Sequence, residues 1–130
     1  MSDGRVFEAL RRGLADRTDV AVAVLFGSRA RGNHREDSDV DVAVLGRVDR
    51  LALAADLSRG TGLEVEVIDL SEAGYPLLAA IVQDAVLLHE GAPGSYGRWR
   101  SHALSQLELD RAWYERMRDG YLAKLAAGVH

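Results

Sequence analysis

One hundred and thirty residues, 48% hydrophobic and 28% charged, suffice for one domain with a sizeable core but not for a catalytic domain plus a separate acceptor-binding one. Sixteen basic against twenty acidic residues leave a net charge of −4, so no bulk attraction draws the chain to nucleic acid or to an anionic membrane. Cys is absent, which excludes disulfides, thiolate metal centres and Cys nucleophiles. Lys124 is the single Lys, which argues against a Walker phosphate loop and against lysyl covalent catalysis. No apolar stretch is long enough to span a bilayer, and the first ten residues lack the apolar core of a secretory signal, so a cytoplasmic location without membrane attachment is expected.

Val6, Phe7, Leu10 and Leu14 recur at helical spacing and predict a first helix over 6–14, with Ser2 or Asp3 as its cap. Residues 20–26 are apolar on both faces and rich in Val, as in a central strand covered on both sides, and Gly27 ends it. From Arg29 to Asp37 the chain is polar and Arg-rich, a loop with a short helical turn after Ser28. A second strand is predicted over 39–45 and a helix over 51–57, capped by Asp49 and stopped by Gly60 and Gly62. A third strand follows over 63–70, then a helix over 75–82 started by Ser71 and Pro76, and a short fourth strand over 85–89. Residues 91–97 hold three Gly and one Pro and read as a linker. Residues 98–127 form one long helix or two. Its stripe of Trp99, Ala103, Leu107, Tyr114, Met117, Tyr121 and Leu125 is read first as packing on the sheet, with an interface to a partner or second copy as the sharper alternative. Asp110 falls on that stripe with no account from the sequence.

The second strand reads Ser-Asp-Val-Asp-Val-Ala-Val-Leu. Its period of two places Val40, Val42 and Val44 on one face and Asp39, Asp41, Ala43 and Leu45 on the other. Two carboxylates about 6.6 Å apart at ~3.3 Å per residue repel each other unless a cation lies between them. The third strand repeats the pattern, with Leu63, Val65 and Val67 on one face and Glu64, Glu66 and Ile68 on the other. Side by side, the two strands would gather acids into one patch. An all-oxygen set without His or Cys suits a hard cation, Mg²⁺ or Mn²⁺. The bland reading, solvated acids at the start of a strand, has equal standing until the upstream residues are considered. There Gly27 and Ser28 stand where a buried strand turns, the arrangement in which backbone N–H groups and a hydroxyl approach an anion, with Arg29 and Arg31 close by. The pattern fits neither GxxxxGK[ST] nor GxGxxG.

Taken together, FGSRARGNHREDSDVDVAVL resembles the nucleotidyltransferase signature of the DNA polymerase β superfamily, a Gly-Ser followed by a loop and a D-x-D on the next strand. The length and the VEVIDL strand resemble the minimal nucleotidyltransferases (MNT), in particular MNT antitoxins paired with HEPN toxins. The resemblance covers residues 20–90. It implies an α/β (α+β) fold like the polymerase β palm, a small mixed sheet with flanking helices over 1–92, followed by a C-terminal helical tail over 93–130 packed on the same domain. It also implies that Gly27 and Ser28 bind the triphosphate and that Asp39 and Asp41 hold two Mg²⁺ ions, for which Mn²⁺ can substitute. Beside that cradle a phosphate role is expected for at least one of Arg29 and Arg31 rather than that of solvated loop charges, and Ser38 joins them as a nucleotide-binding candidate. The third carboxylate matches Glu66, where the family has Asp, and Glu64 stays open beside it.

The implied activity is transfer of AMP from ATP to a hydroxyl, with a Tyr of a HEPN-type toxin as acceptor. The alternatives are a small-molecule transferase of the aminoglycoside type and an antitoxin acting by binding alone. A nucleic-acid acceptor is not expected. His34 is read as a surface residue, His89, His102 and His130 as structural or exposed, and Asp69 as a turn or cap.

Overall fold

The computed structural model describes residues 3–35 and 37–128, so Ser2 and His130 lie outside the described residues. Among the described residues five helices and four strands alternate as α1 (Asp3–Leu14), β1 (Val20–Phe26), α2 (Ser28–Arg31), β2 (Val40–Gly46), α3 (Arg50–Thr61), β3 (Val65–Asp69), α4 (Tyr75–Asp84), β4 (Val86–Glu90) and α5 (Ser95–Ala126), with a 3₁₀ turn over Leu70–Glu72. The strands form one sheet in the order β3-β2-β1-β4. β1 pairs antiparallel with β2 and β4, and β2 pairs parallel with β3 across α3. The sheet is mixed, as expected.

Alternation along the strands decides which helices cover which face. Val40, Val42, Val44, Val65, Val67 and Leu25 point to one side and are buried under Val6, Leu10 and Leu14 of α1 and Leu53 and Leu57 of α3. Val22, Val24 and Ala43 point to the other and pack with Ile81 of α4 and Trp99 of α5. The second face also carries Asp41 and Glu66, so α4 and α5 cover only part of it. Asp49 caps α3 by accepting from the Ala52 N–H at 3.1 Å, and Asp69 caps the 3₁₀ turn by accepting from the Ser71 N–H at 2.8 Å.

Three expectations are corrected. Ser71 belongs to the 3₁₀ turn, and Gly74 stands at the start of α4, with Pro76 in its first turn, where a missing N–H costs nothing. α5 begins at Ser95, so the end of the Gly-rich stretch, Gly97 included, is helical; the turn is made at Gly94, at φ +88°. The apolar stripe of α5 is covered only in its first half. Ala103 is its one buried residue, packed with Leu78 and Val82 of α4, whereas Tyr114, Met117, Tyr121 and Leu125 are 41–64% exposed. The 32-residue helix spans about 48 Å at ~1.5 Å per residue, more than the small sheet beneath it can cover.

Candidate active site

β1 ends at Phe26, and the chain turns at Gly27 with φ +79° and ψ −157°, a conformation essentially reserved for glycine. A second requirement acts at the same position: a β-carbon on residue 27 would lie 2.6 Å from Oδ2 of Asp41. The glycine thus lets the chain pass directly beneath a carboxylate of the neighbouring strand, Phe26 being the register partner of Asp41. Ser28 opens α2, which closes after one turn at Gly32, itself at φ +76°.

On its other side Asp41 stands in register with Glu66 of β3. Adjacent strands lie ~4.8 Å apart, so the two carboxylates are neighbours on one face. Asp39 precedes the strand by one residue and is exposed. The Asp41 carboxyl is pushed above its ordinary value of 3.8, first by burial and then by the negative charges of Glu66 and Asp39, while the Arg31 guanidinium opposes the shift. Glu64 lies outside β3 and engages β2 through its backbone carbonyl, which accepts from the Val40 N–H at 2.9 Å.

The two arginines of the loop go separate ways. Arg31 is half-exposed and lies against Asp84, the last residue of α4, at 2.6 Å. Arg29 turns inward: its side chain is 4% exposed, its Nε donates to the Ser38 carbonyl at 3.0 Å and its Nη1 lies 3.6 Å from Asp3. Ser38 in turn accepts through Oγ from the Arg35 N–H at 2.9 Å. Asp3 also meets Nε2 of His34 at 2.7 Å, and the His34 side chain is only 10% exposed, which corrects its reading as a surface residue. In these contacts Arg29 and His34 tie the loop to Asp3 of α1 and Ser38 closes the loop on Arg29 and Arg35, while Gly27, Asp41, Glu66 and Arg31 gather at the end of the sheet. Asp84 escaped the sequence reading, and Asp3 was read only as a helix cap; neither falls in a motif, and Asp84 is 53 residues from its partner. Asp110 accepts from Gln106 of the same helix at 3.1 Å.

The donor set is all carboxylate, the chemistry of a hard divalent cation. Among the described residues no three His, Cys, Asp or Glu side chains close into a metal-holding cluster. Mg²⁺ does not require one, because it is usually held by one or two carboxylates with substrate phosphates and water completing its shell. A cavity of about 770 Å³ opens on the same face at the opposite end of β2, between Leu45, Tyr75, Trp99 and His102; Asp110 lines it, and Asp39, Asp41 and Glu66 do not.

The polymerase beta nucleotidyltransferase family model matches residues 8–93, from α1 to just past β4. The chain belongs to this family. No curated protein matches it significantly by sequence. Among solved structures, this nucleotidyltransferase is similar to a chain of a toxin–antitoxin complex with AMP-PNP, at 22% identity and a TM-score of 0.71 over 94% of this chain and 99% of the other. It is similar to a chain of the complex of a tri-AMPylated Shewanella oneidensis HEPN toxin with its MNT antitoxin, at 20% identity and a TM-score of 0.71 over 93% and 99%. A chain of the MntA–HepT toxin–antitoxin complex shares 21% identity at a TM-score of 0.68 over 90% and 97%. At these identities the likeness is one of fold. Among the described residues no helix is long and apolar enough to cross a membrane.

Proposed function

We propose that this nucleotidyltransferase moves AMP from ATP to a hydroxyl side chain, a Tyr, of a HEPN-type toxin and so acts as its antitoxin. The observation that carries this reading is the extent of the likeness. The complex containing the AMPylated HEPN toxin holds a chain that matches this one over 93% of its length, more than the catalytic fold alone would cover. The chemistry agrees with it: a transferase must position its acceptor, and a protein acceptor brings its own structure to the site.

In this reading the Gly27–Ser28 turn receives the triphosphate, with Ser28 as a hydroxyl donor and Arg31 as a neighbouring positive charge. Arg29 and Ser38 act on the nucleotide by holding the loop that joins the turn to the acids. Asp39, Asp41 and Glu66 would hold divalent cations, Mg²⁺ first, and cations so held supply charge neutralisation at the phosphates and a lowered pKa for the attacking hydroxyl. The crowding of negative charge on Asp41 is what such a cation relieves.

Co-expression with a HEPN-type protein encoded beside it, followed by intact-mass spectrometry of that partner, tests the proposal. Addition of AMP to the partner, lost with Asp41→Asn, is the expected result. An unmodified partner together with efficient modification of an aminoglycoside would favour the small-molecule enzyme. An unmodified but tightly bound and neutralised partner would favour an antitoxin acting by binding alone.

A further inference from the structure

Asp84 is placed where a carboxylate is unwelcome. Its side chain is 10% exposed, so it has lost most of its hydration, and it ends α4, where the helix dipole presents its negative pole. What offsets both costs is Arg31, whose Nη1 donates to Oδ2 at 2.6 Å, bringing together residues 53 apart in the chain. Arg31 stands three residues after Ser28 on the single turn of α2, on the same side of the turn. Among the described residues Asp84 is the one side chain hydrogen-bonded to it. The Arg31 side chain remains 49% exposed, and its positive charge reaches Asp41. A fork of donors held at one end and open at the other, beside the acids and the Gly-Ser turn, has the geometry of a phosphate clamp.

We propose that Asp84 is a positioning residue: from the end of α4 it fixes the Arg31 guanidinium so that the remaining donors of the fork are presented to the nucleotide phosphates at the Gly27–Ser28 turn. The proposal rests on the nucleotidyl-transfer reading of the site. It also assigns α4 a part in the site, although it contributes no residue to the Gly-Ser or D-x-D motifs. An arginine on a free four-residue helix would lose rotamer freedom on meeting a phosphate, whereas one already pinned loses less.

The test is the affinity of the full chain for AMP-PNP with Mg²⁺, measured by calorimetry for wild type, Asp84→Asn, Asp84→Glu, Arg31→Ala and the double variant Arg31→Ala/Asp84→Asn, with melting temperatures in parallel. Expected are a loss of roughly tenfold or more for Asp84→Asn, partial recovery in Asp84→Glu, and a double variant no weaker than Arg31→Ala alone. Melting temperature should not follow affinity across the series. Unchanged affinity in Asp84→Asn, or losses that add in the double variant, would overturn the positioning role while leaving the reading of the site intact. A wild type that binds no AMP-PNP would overturn both.

Discussion

The carboxylate of Asp41 fills the space in which residue 27 would carry its β-carbon: a methyl there would sit 2.6 Å from Oδ2. Gly27 and Asp41 are thus one structural unit built from adjacent strands. Gly27→Ala meets two obstacles, a backbone conformation that side chains resist, costing about 1–3 kcal/mol, and displacement of Asp41. The variant should unfold at lower denaturant concentration and lose nucleotidyl transfer by more than its folded fraction explains. Denaturant titration beside a transfer assay separates the two effects, and wild-type transfer by Gly27→Ala would show that Asp41 need not stay where it is.

Asp41 itself should show function and stability opposed. Because its carboxyl is raised above 3.8 in the folded protein, the folded state binds that proton more tightly than the unfolded chain does. The ionised group therefore costs stability at neutral pH, and the cost disappears as pH falls through the raised value. Asp41→Asn should melt at a higher temperature than wild type at pH 7, with the gap narrowing toward pH 4, while transfer is lost. A lower melting temperature at pH 7 would mean that the carboxylate is a net stabilising partner.

On β3 the register separates two acids that the sequence leaves as rivals. Glu66 is the neighbour of Asp41, whereas Glu64 meets β2 through its backbone, which substitution of its side chain leaves in place. Glu66→Gln should reduce transfer by at least about a hundredfold, and Asp39→Asn likewise, in the range seen when one group stabilising transition-state charge is removed. Glu64→Gln should stay within a few-fold of wild type. Kinetics with a common acceptor decide, and the reverse ranking would assign the third carboxylate to Glu64.

How much of this was legible beforehand follows from the range over which each signal acts. The alternation of Val40, Val42 and Val44 with Asp39 and Asp41 is local, as is the Asp49 cap, and both read correctly from spacing alone. The Arg31–Asp84 and His34–Asp3 pairs exist only once the chain has folded, and no motif marks Asp84 or Asp3 as the partner. Gly97 misled because composition marks a linker while the packing of Trp99 and Ala103 recruits the stretch into α5. Helical spacing told which residues of α5 share a face; it did not tell where the sheet beneath them stops.

Ser28 and Arg29 are adjacent in sequence but differ in environment, and substitutions should separate them. Ser28→Ala removes a hydroxyl at the opening of α2 and should weaken AMP-PNP binding several-fold at unchanged melting temperature. Arg29→Ala leaves a buried gap and strips the Ser38 carbonyl of its donor, costing roughly 1–3 kcal/mol of stability before any effect on transfer. Thermal melts beside binding isotherms give the comparison. A destabilised Ser28→Ala with intact affinity would make that residue part of the turn alone.

The second half of α5 gives the last prediction. Beyond Ala103 no residue of the helix is buried, and the aromatic contact reaching back to the domain is Tyr114 on Tyr75, with ring centroids 4.9 Å apart. Such a stack contributes about 1 kcal/mol, and helix propensity alone does not hold a segment of this length firmly in water. In the isolated protein, amides of residues 109–126 should therefore exchange with solvent much faster than those of 98–107, where Trp99 and Ala103 meet α4. Truncation after Glu108 should lower stability by no more than Tyr114→Ala does. Hydrogen exchange read by mass spectrometry, with melts of both variants, checks this directly. Slow exchange to the end of the helix, or a truncation costing several kcal/mol, would mean that a second copy covers the stripe in solution, and the exchange pattern should then depend on protein concentration.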